Sequence, residues 1–155
     1  MKKRRRASRP ATRKRRAPAP EQVRVERRVP IHSDHDIVTA RQEGRLLAKQ
    51  VGFSDTNLTL IATAISELAR NILLYARQGD LTLGIVERNG HSGIVVIASD
   101  RGPGIPDLAR ALEVGYSTSG SLGLGLPGVR RLMDDFEVES RVGQGTRVTA
   151  RKWRG

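Results

Sequence analysis

The chain has 155 residues, with 28 Lys or Arg against 16 Asp or Glu and no cysteine. That length suits one domain, and the lack of cysteine excludes a disulfide framework and a thiolate metal site. Ten of the basic residues fall within residues 1–20, which hold no acidic residue, so the formal net charge of +12 belongs mainly to a tail and the body is close to neutral.

The tail carries Lys2, Lys3, Arg4, Arg5, Arg6, Arg9, Arg13, Lys14, Arg15 and Arg16 among alanines and Pro10, Pro18 and Pro20. Such a segment has too little apolar surface to offset its own ordering entropy, so residues 1–22 are expected to be disordered and residues 23–155 to form the domain. Contact with a polyanion (nucleic acid, anionic lipid or an acidic partner) through charge alone is one reading; a solubilising extension is another. No aromatic residue lies in the tail to stack on bases, so any nucleic-acid contact is expected to be non-specific. No apolar stretch follows the basic residues as a signal peptide requires, and no run approaches a membrane span. A soluble, cytoplasmic protein is expected.

Val23–Val29 alternates and stops at Pro30, which predicts an edge strand. Ser33 or Asp34 caps a helix whose Ile37, Ala40, Gly44, Leu47, Ala48 and Val51 share one face, ended near Gly52. A second helix opens at Ser54-Asp55 and runs to about Arg77. Its Leu58, Ile61, Ala62, Ile65, Leu68, Ala69, Ile72 and Ala76 recur at helical spacing, the pattern of a face packed on a sheet. Strands are predicted over Leu81–Arg88 and Gly93–Asp100, joined by Asn89-Gly90 turn chemistry. Residues 101–125 read as loop, with a short amphipathic piece at Pro106–Leu112. A helix over Leu126–Phe136 and two strands, Glu137–Arg141 and Thr146–Lys152, close the chain. Runs of strands between helices argue for an α/β (α+β) two-layer sandwich, a mixed, mostly antiparallel sheet with helices on one face.

Four groups of residues can carry chemistry. Asp100-Arg-Gly-Pro-Gly104 ends the apolar run Ile94–Ala98. A carboxylate at a strand end followed by Gly102 and Gly104 suits a flat, amine-bearing ring: the carboxylate accepts an exocyclic N–H and the glycines let backbone come close. An Asp beginning a Gly-Pro turn with no ligand has the same sequence. On the second helix, Glu67 and Asn71 lie one turn and about 40° apart, so they project together. Asn71 can offer an oxygen to Mg²⁺ and Glu67 can serve as a general base; two polar residues on an exposed helix face is the plain alternative. Seven of the 16 glycines fall between positions 102 and 128. Gly123-Leu124-Gly125 feeds into a helix whose first N–H groups attract anions. Neither a phosphate loop with G-K-[ST] nor a dinucleotide fingerprint is present. Gly145-Thr146 begins a strand, and beside Asp100 its hydroxyl would lie at the floor of the ring pocket.

Taken in order, E-L-A-R-N at 67–71, D-R-G-P-G at 100–104, G-L-G-L at 123–126 and G-T at 145–146 resemble the four nucleotide boxes of the GHKL (Bergerat-fold) ATPases. I-S-E-L-A-R-N-I at 65–72, G-Y-S-T-S at 115–119 and G-L-G-L-P-G-V-R-R-L-M-D at 123–134 are most similar to the anti-sigma-factor-type serine/threonine kinases, specifically the switch kinases of the general stress-response (stressosome) module. The resemblance covers about residues 29–153. It implies a Bergerat fold and a kinase using ATP and Mg²⁺. Asn71 would hold the metal, and Asp100 would hold the adenine amine with Gly102, Gly104 and Thr146. Gly123, Leu124 and Gly125 would form a phosphate lid, and Glu67 would be the catalytic base. It further implies a STAS-domain substrate and a PP2C-type phosphatase as second partner; an anti-sigma factor that sequesters a sigma subunit is the alternative. One departure stands out. Some relatives carry an arginine just before the lid glycines, whereas Thr118–Leu122 holds no cation, which leaves Mg²⁺, backbone amides, or an arginine such as Arg70 or Arg130 to neutralise the terminal phosphate.

Overall fold

The computed structural model describes residues 20–113 and 125–155. The expected tail and the residues Gly123, Leu124 and 115–119 lie outside the described residues, Pro20–Gln22 apart. Five strands, β1 (Gln22–Ile31), β2 (Gly79–Arg88), β3 (His91–Asp100), β4 (Asp135–Arg141) and β5 (Gly145–Trp153), form one sheet in the order β1-β2-β3-β5-β4. All four pairings are antiparallel, so the expected mixed sheet is corrected to a purely antiparallel one. The physical reason is the β4–β5 hairpin, which folds back so that β5 enters beside β3 running against it.

The helices are α1 (Asp34–Val51), α2 (Asp55–Asn71), α3 (Leu108–Ala111) and α4 (Gly125–Leu132). Asp36 stabilises the start of α1 by accepting from the His32 and Ser33 amides at 2.8 and 3.0 Å, which satisfies donors the helix leaves unpaired. These hydrogen bonds, the His32 amide first, hold its carboxyl below the usual range. The predicted apolar faces are the buried ones: Ile37, Ala40, Leu47, Ala48 and Val51 on α1, and Leu58, Ile61, Ile65, Leu68 and Ala69 on α2. They pack in one cluster with a row that crosses the whole sheet, Val29, Leu81, Ala98, Val148 and Val138.

Several element boundaries differ from the sequence reading, whereas the helical stretch from Asp55 ends at Arg77 as expected. Strand β1 runs through Pro30 to Ile31, tolerated because β1 is an edge strand and its proline gives up no ladder bond the sheet needs. Helix α4 stops at Leu132, and Phe136 instead sits in β4 opposite Ala150. Helix α2 passes into a π-helical turn at Ile72–Ala76 and ends at Arg77, a non-glycine residue at φ 68°. The stretch Asp55–Ala76 is also long and apolar enough, by length and composition, to cross a membrane, a pattern the sequence reading did not find. Half of its most apolar window is buried within the domain, as in a core helix.

Gly145 supports the register of β3 and β5. It has φ 120°, and a Cβ there would fall against the Asp100 carbonyl and 2.8 Å from the Arg101 Cα. Gly143, two residues earlier in the same turn, also has positive φ but open space around it. Gly145→Ala is expected to lower unfolding free energy by about 3 kcal/mol, combining backbone strain with a clash that backbone cannot relieve. Gly143→Ala should cost about 1 kcal/mol, the strain alone. Urea denaturation of the two variants checks the difference.

Candidate active site

The sheet register builds the floor of the site. Asp100, Thr146 and Ser140 are direct neighbours across β3, β5 and β4, with Gly79 of β2 completing the row. Cross-strand neighbours share a face, and this row has the same parity as Ala98, Val148 and Val138, so it lies on the helix side, one step beyond the apolar core. A carboxylate and two hydroxyls therefore stand where the core gives way to a polar rim.

Asp100 is half-buried and tied at one oxygen. Its Oδ1 accepts from the Gly102 amide at 2.9 Å and from the Thr146 amide at 3.3 Å. Among the described residues no donor reaches Oδ2, and no fully enclosed side-chain polar atom lacks a partner, so Oδ2 is open to a donor from outside. The Thr146 backbone, rather than its hydroxyl, bonds the carboxylate. The hydroxyl lies 2.8 Å from Ser140 Oγ.

The ring loop is fastened on both sides. The Ile105 amide donates to Ser140 Oγ at 2.8 Å, and the Gly143 amide donates to the Pro103 carbonyl at 2.9 Å. Gly104 has φ 77°, and a Cβ there would fall against the Arg141 carbonyl. Gly102 faces the end of α2: a Cβ would lie 2.6 Å from Ala76 Cβ and 3.2 Å from Asp100 Oδ1. The π-helical turn thus brings Ala76 onto the loop, a local widening common where a helix serves a site.

Ile72 packs against Gly79 beside Asp100, so the end of α2 that carries Glu67 and Asn71 adjoins the ring pocket. Glu67 is 7% exposed and is the one buried charged side chain among the described residues. The exposed-face alternative for Glu67 is therefore excluded. Its Oε1 accepts from Arg70 Nη1 at 3.1 Å, which offsets part of the cost of burying a charge. Arg70 is thereby engaged with Glu67 in this structure. Asn71 is half-buried, and Arg130 is exposed on α4. Gly125 opens α4 at φ 63°. Among the described residues no group of three His, Cys, Asp or Glu could hold a metal by itself.

Ser140 and Ala76 escaped the sequence reading. Ser140 left a trace, because Phe136, Val138 and Ser140 alternate on the core side of β4 and the third of them is polar. Ala76 left none, because its contact depends on the π-helical turn.

The profile of the histidine kinase-, DNA gyrase B- and HSP90-like ATPases matches residues 56–154, and the chain belongs to that family. Among individual relatives, it is 53% identical over 125 residues to the serine/threonine-protein kinase RsbT of Bacillus subtilis (strain 168), covering 81% of this chain and 94% of that one. It is 30% identical over 102 residues to the anti-sigma F factor of Geobacillus stearothermophilus, covering 61% of this chain and 68% of the relative. A crystal structure of the RsbU and RsbW domains of a Mycobacterium tuberculosis protein superposes with a TM-score of 0.56 at 20% identity. That match covers 90% of this chain but only 34% of the other, and it bears on the fold alone.

Proposed function

We propose that the protein is a soluble, cytoplasmic, ATP-dependent serine/threonine kinase of a sigma-factor regulatory pathway. It phosphorylates a STAS-domain antagonist and then binds and activates a PP2C-type phosphatase. The observation that carries the reading is the row Asp100–Thr146–Ser140 set against the end of α2 that bears Glu67 and Asn71, in a chain 53% identical to a named serine/threonine kinase. The STAS and phosphatase partners rest on the resemblance of residues 65–72 and 115–134 to the switch kinases.

The roles of the described residues agree with their surroundings, and those of Gly123 and Leu124 rest on the resemblance. Asp100 Oδ2 accepts from the adenine amine, while Gly102 and Gly104 keep the pocket thin enough for a ring; Thr146 borders it. The described residues fit Mg²⁺ in one manner. With no carboxylate cluster, Asn71 supplies a single protein oxygen and the nucleotide phosphates and water supply the others, as this ion prefers. When bound, it neutralises phosphate charge. Gly123, Leu124 and Gly125 place lid amides on the phosphates. Glu67 accepts the proton of the attacking serine or threonine hydroxyl through the oxygen that Arg70 leaves free. Most of the catalysis is positioning and charge stabilisation, as phosphoryl transfer requires.

The anti-sigma F factor relatives favour a second reading, in which the chain sequesters a sigma subunit with little turnover. Affinity capture from cell extract separates the two. STAS proteins or a phosphatase on the beads, with a phosphoserine or phosphothreonine mapped on the recovered STAS protein, is the expected result; recovery of a sigma factor alone reverses the order.

Two substitutions test the site. Glu67→Gln is expected to bind Mg-ATP as the parent does while phosphate transfer to the STAS partner falls by about 10²–10⁴-fold; transfer at the parental rate removes Glu67 from the role of base. Asp100→Asn turns an acceptor toward the ring into a donor. ATP affinity should fall about tenfold or more, with the unfolding midpoint moved only slightly, as titration calorimetry and a denaturation curve will show.

A further inference from the structure

Ser140 makes three polar contacts, and one arrangement of its proton turns all three into hydrogen bonds. Its Oγ accepts from the Ile105 amide at 2.8 Å, donates to the Gly145 carbonyl at 3.3 Å and lies 2.8 Å from Thr146 Oγ1. A serine hydroxyl has one proton and two lone pairs. The Ile105 amide occupies one lone pair. The Gly145 carbonyl can only accept, so all three contacts are hydrogen bonds at once only when it takes the Ser140 proton. The remaining contact is then a donation from Thr146 to the second lone pair of Ser140. The opposite arrangement would turn a Ser140 lone pair toward the Gly145 carbonyl.

Thr146, having given its proton to Ser140, has only lone pairs left for the pocket. Asp100 Oδ2, an ionised carboxylate oxygen, is likewise an acceptor. The pocket floor therefore presents acceptors from β3 and β5, a match for a ring bearing an exocyclic amine and a mismatch for one bearing an oxo group. We propose that Ser140 is a positioning residue that sets nucleotide base selectivity by holding the Thr146 hydroxyl as an acceptor. The assignment rests on the nucleotide reading above and adds a residue outside the four boxes.

Titration of the full-length protein with Mg-ATP and with Mg-inosine triphosphate, which replaces the amine with an oxo group, tests it. The parent should prefer ATP. In Ser140→Ala the Thr146 proton is free to turn toward an oxo group, so the ratio of ATP to inosine triphosphate affinity should narrow about tenfold. Ser140→Thr, which keeps the hydroxyl, should retain the parental ratio. Should the alanine variant not melt cooperatively, Ser140→Cys, near in size and a poor acceptor, is expected to narrow the ratio in the same direction. If both affinities fall together with the ratio kept, Ser140 only holds the loop and the proposal is overturned. A parent that binds neither nucleotide overturns the nucleotide reading itself, and with it this one.

Discussion

A single close approach governs the site: the β3 strand end at Asp100 meets Gly145 with no room for a side chain between them. This approach lets the Thr146 amide reach Asp100 Oδ1, and the Gly102 amide completes the grip from the other side. Two backbone donors on one carboxylate oxygen orient the group without using its second oxygen. A side-chain donor would have added rotamer entropy to the cost of the same orientation. The ring loop, the β4–β5 turn and the strand end are thereby parts of one hydrogen-bonded unit. A shift in any one of them moves the carboxylate.

The second constraint is electrostatic. Helix α2 gives its apolar face to the sheet, yet it carries Glu67 at 7% exposure. Burying a carboxylate is unfavourable unless a partner compensates, and Arg70, 44% exposed at its side chain, provides that compensation from one turn along. The pair keeps a charged group where a fully apolar residue would pack better. A fold selected for stability alone has little reason to retain it, and reactive chemistry has a good one. The engagement also bears on the missing lid arginine. Arg70 uses only Nη1 on Glu67, so the rest of its guanidinium fork keeps donors for a second acceptor.

What could be read from the amino acids followed from periodicity. The faces of α1 and α2 were legible because 3.6-residue spacing marks burial directly, and β2 and β3 were legible because Asn89-Gly90 encodes their turn. The end of α4 was not, because Met133-Asp134-Asp135-Phe136 suits either a helix or a strand until β5 supplies partners for Phe136. Asp100, Gly102 and Gly104 stood out because glycine has few other reasons to recur beside a lone carboxylate. Ser140 left only its alternation with Phe136 and Val138, which says nothing of a partner. Only the register, which depends on chain far away in sequence, sets it beside Thr146. The Arg70 contact was equally silent, because an i, i+3 pair on a helix is visible in sequence while its burial is not.

The two ends of the sheet have different constructions, and this bears on where the domain can move. Far from Asp100, side chains lock the strands together. Arg151 pairs with Glu21, Lys152 Nζ donates to the Leu132 carbonyl at 2.9 Å, and the Trp153 indole donates to Asp135 at 2.9 Å beneath the Arg88 guanidinium. That end joins β1, α4, β4 and β5 through charge and aromatic contact. Across β3, β5 and β4 at the Asp100 end the links are backbone amides, small hydroxyls and glycines, while an Arg28–Asp80 ion pair joins β1 to β2 there. Their individual strength is modest, and glycine adds few side-chain contacts to resist displacement. Opening free energies vary across a domain according to such differences. The Asp100 end is thus the end whose fastening is the easier to remake, while the opposite end holds the sheet in register.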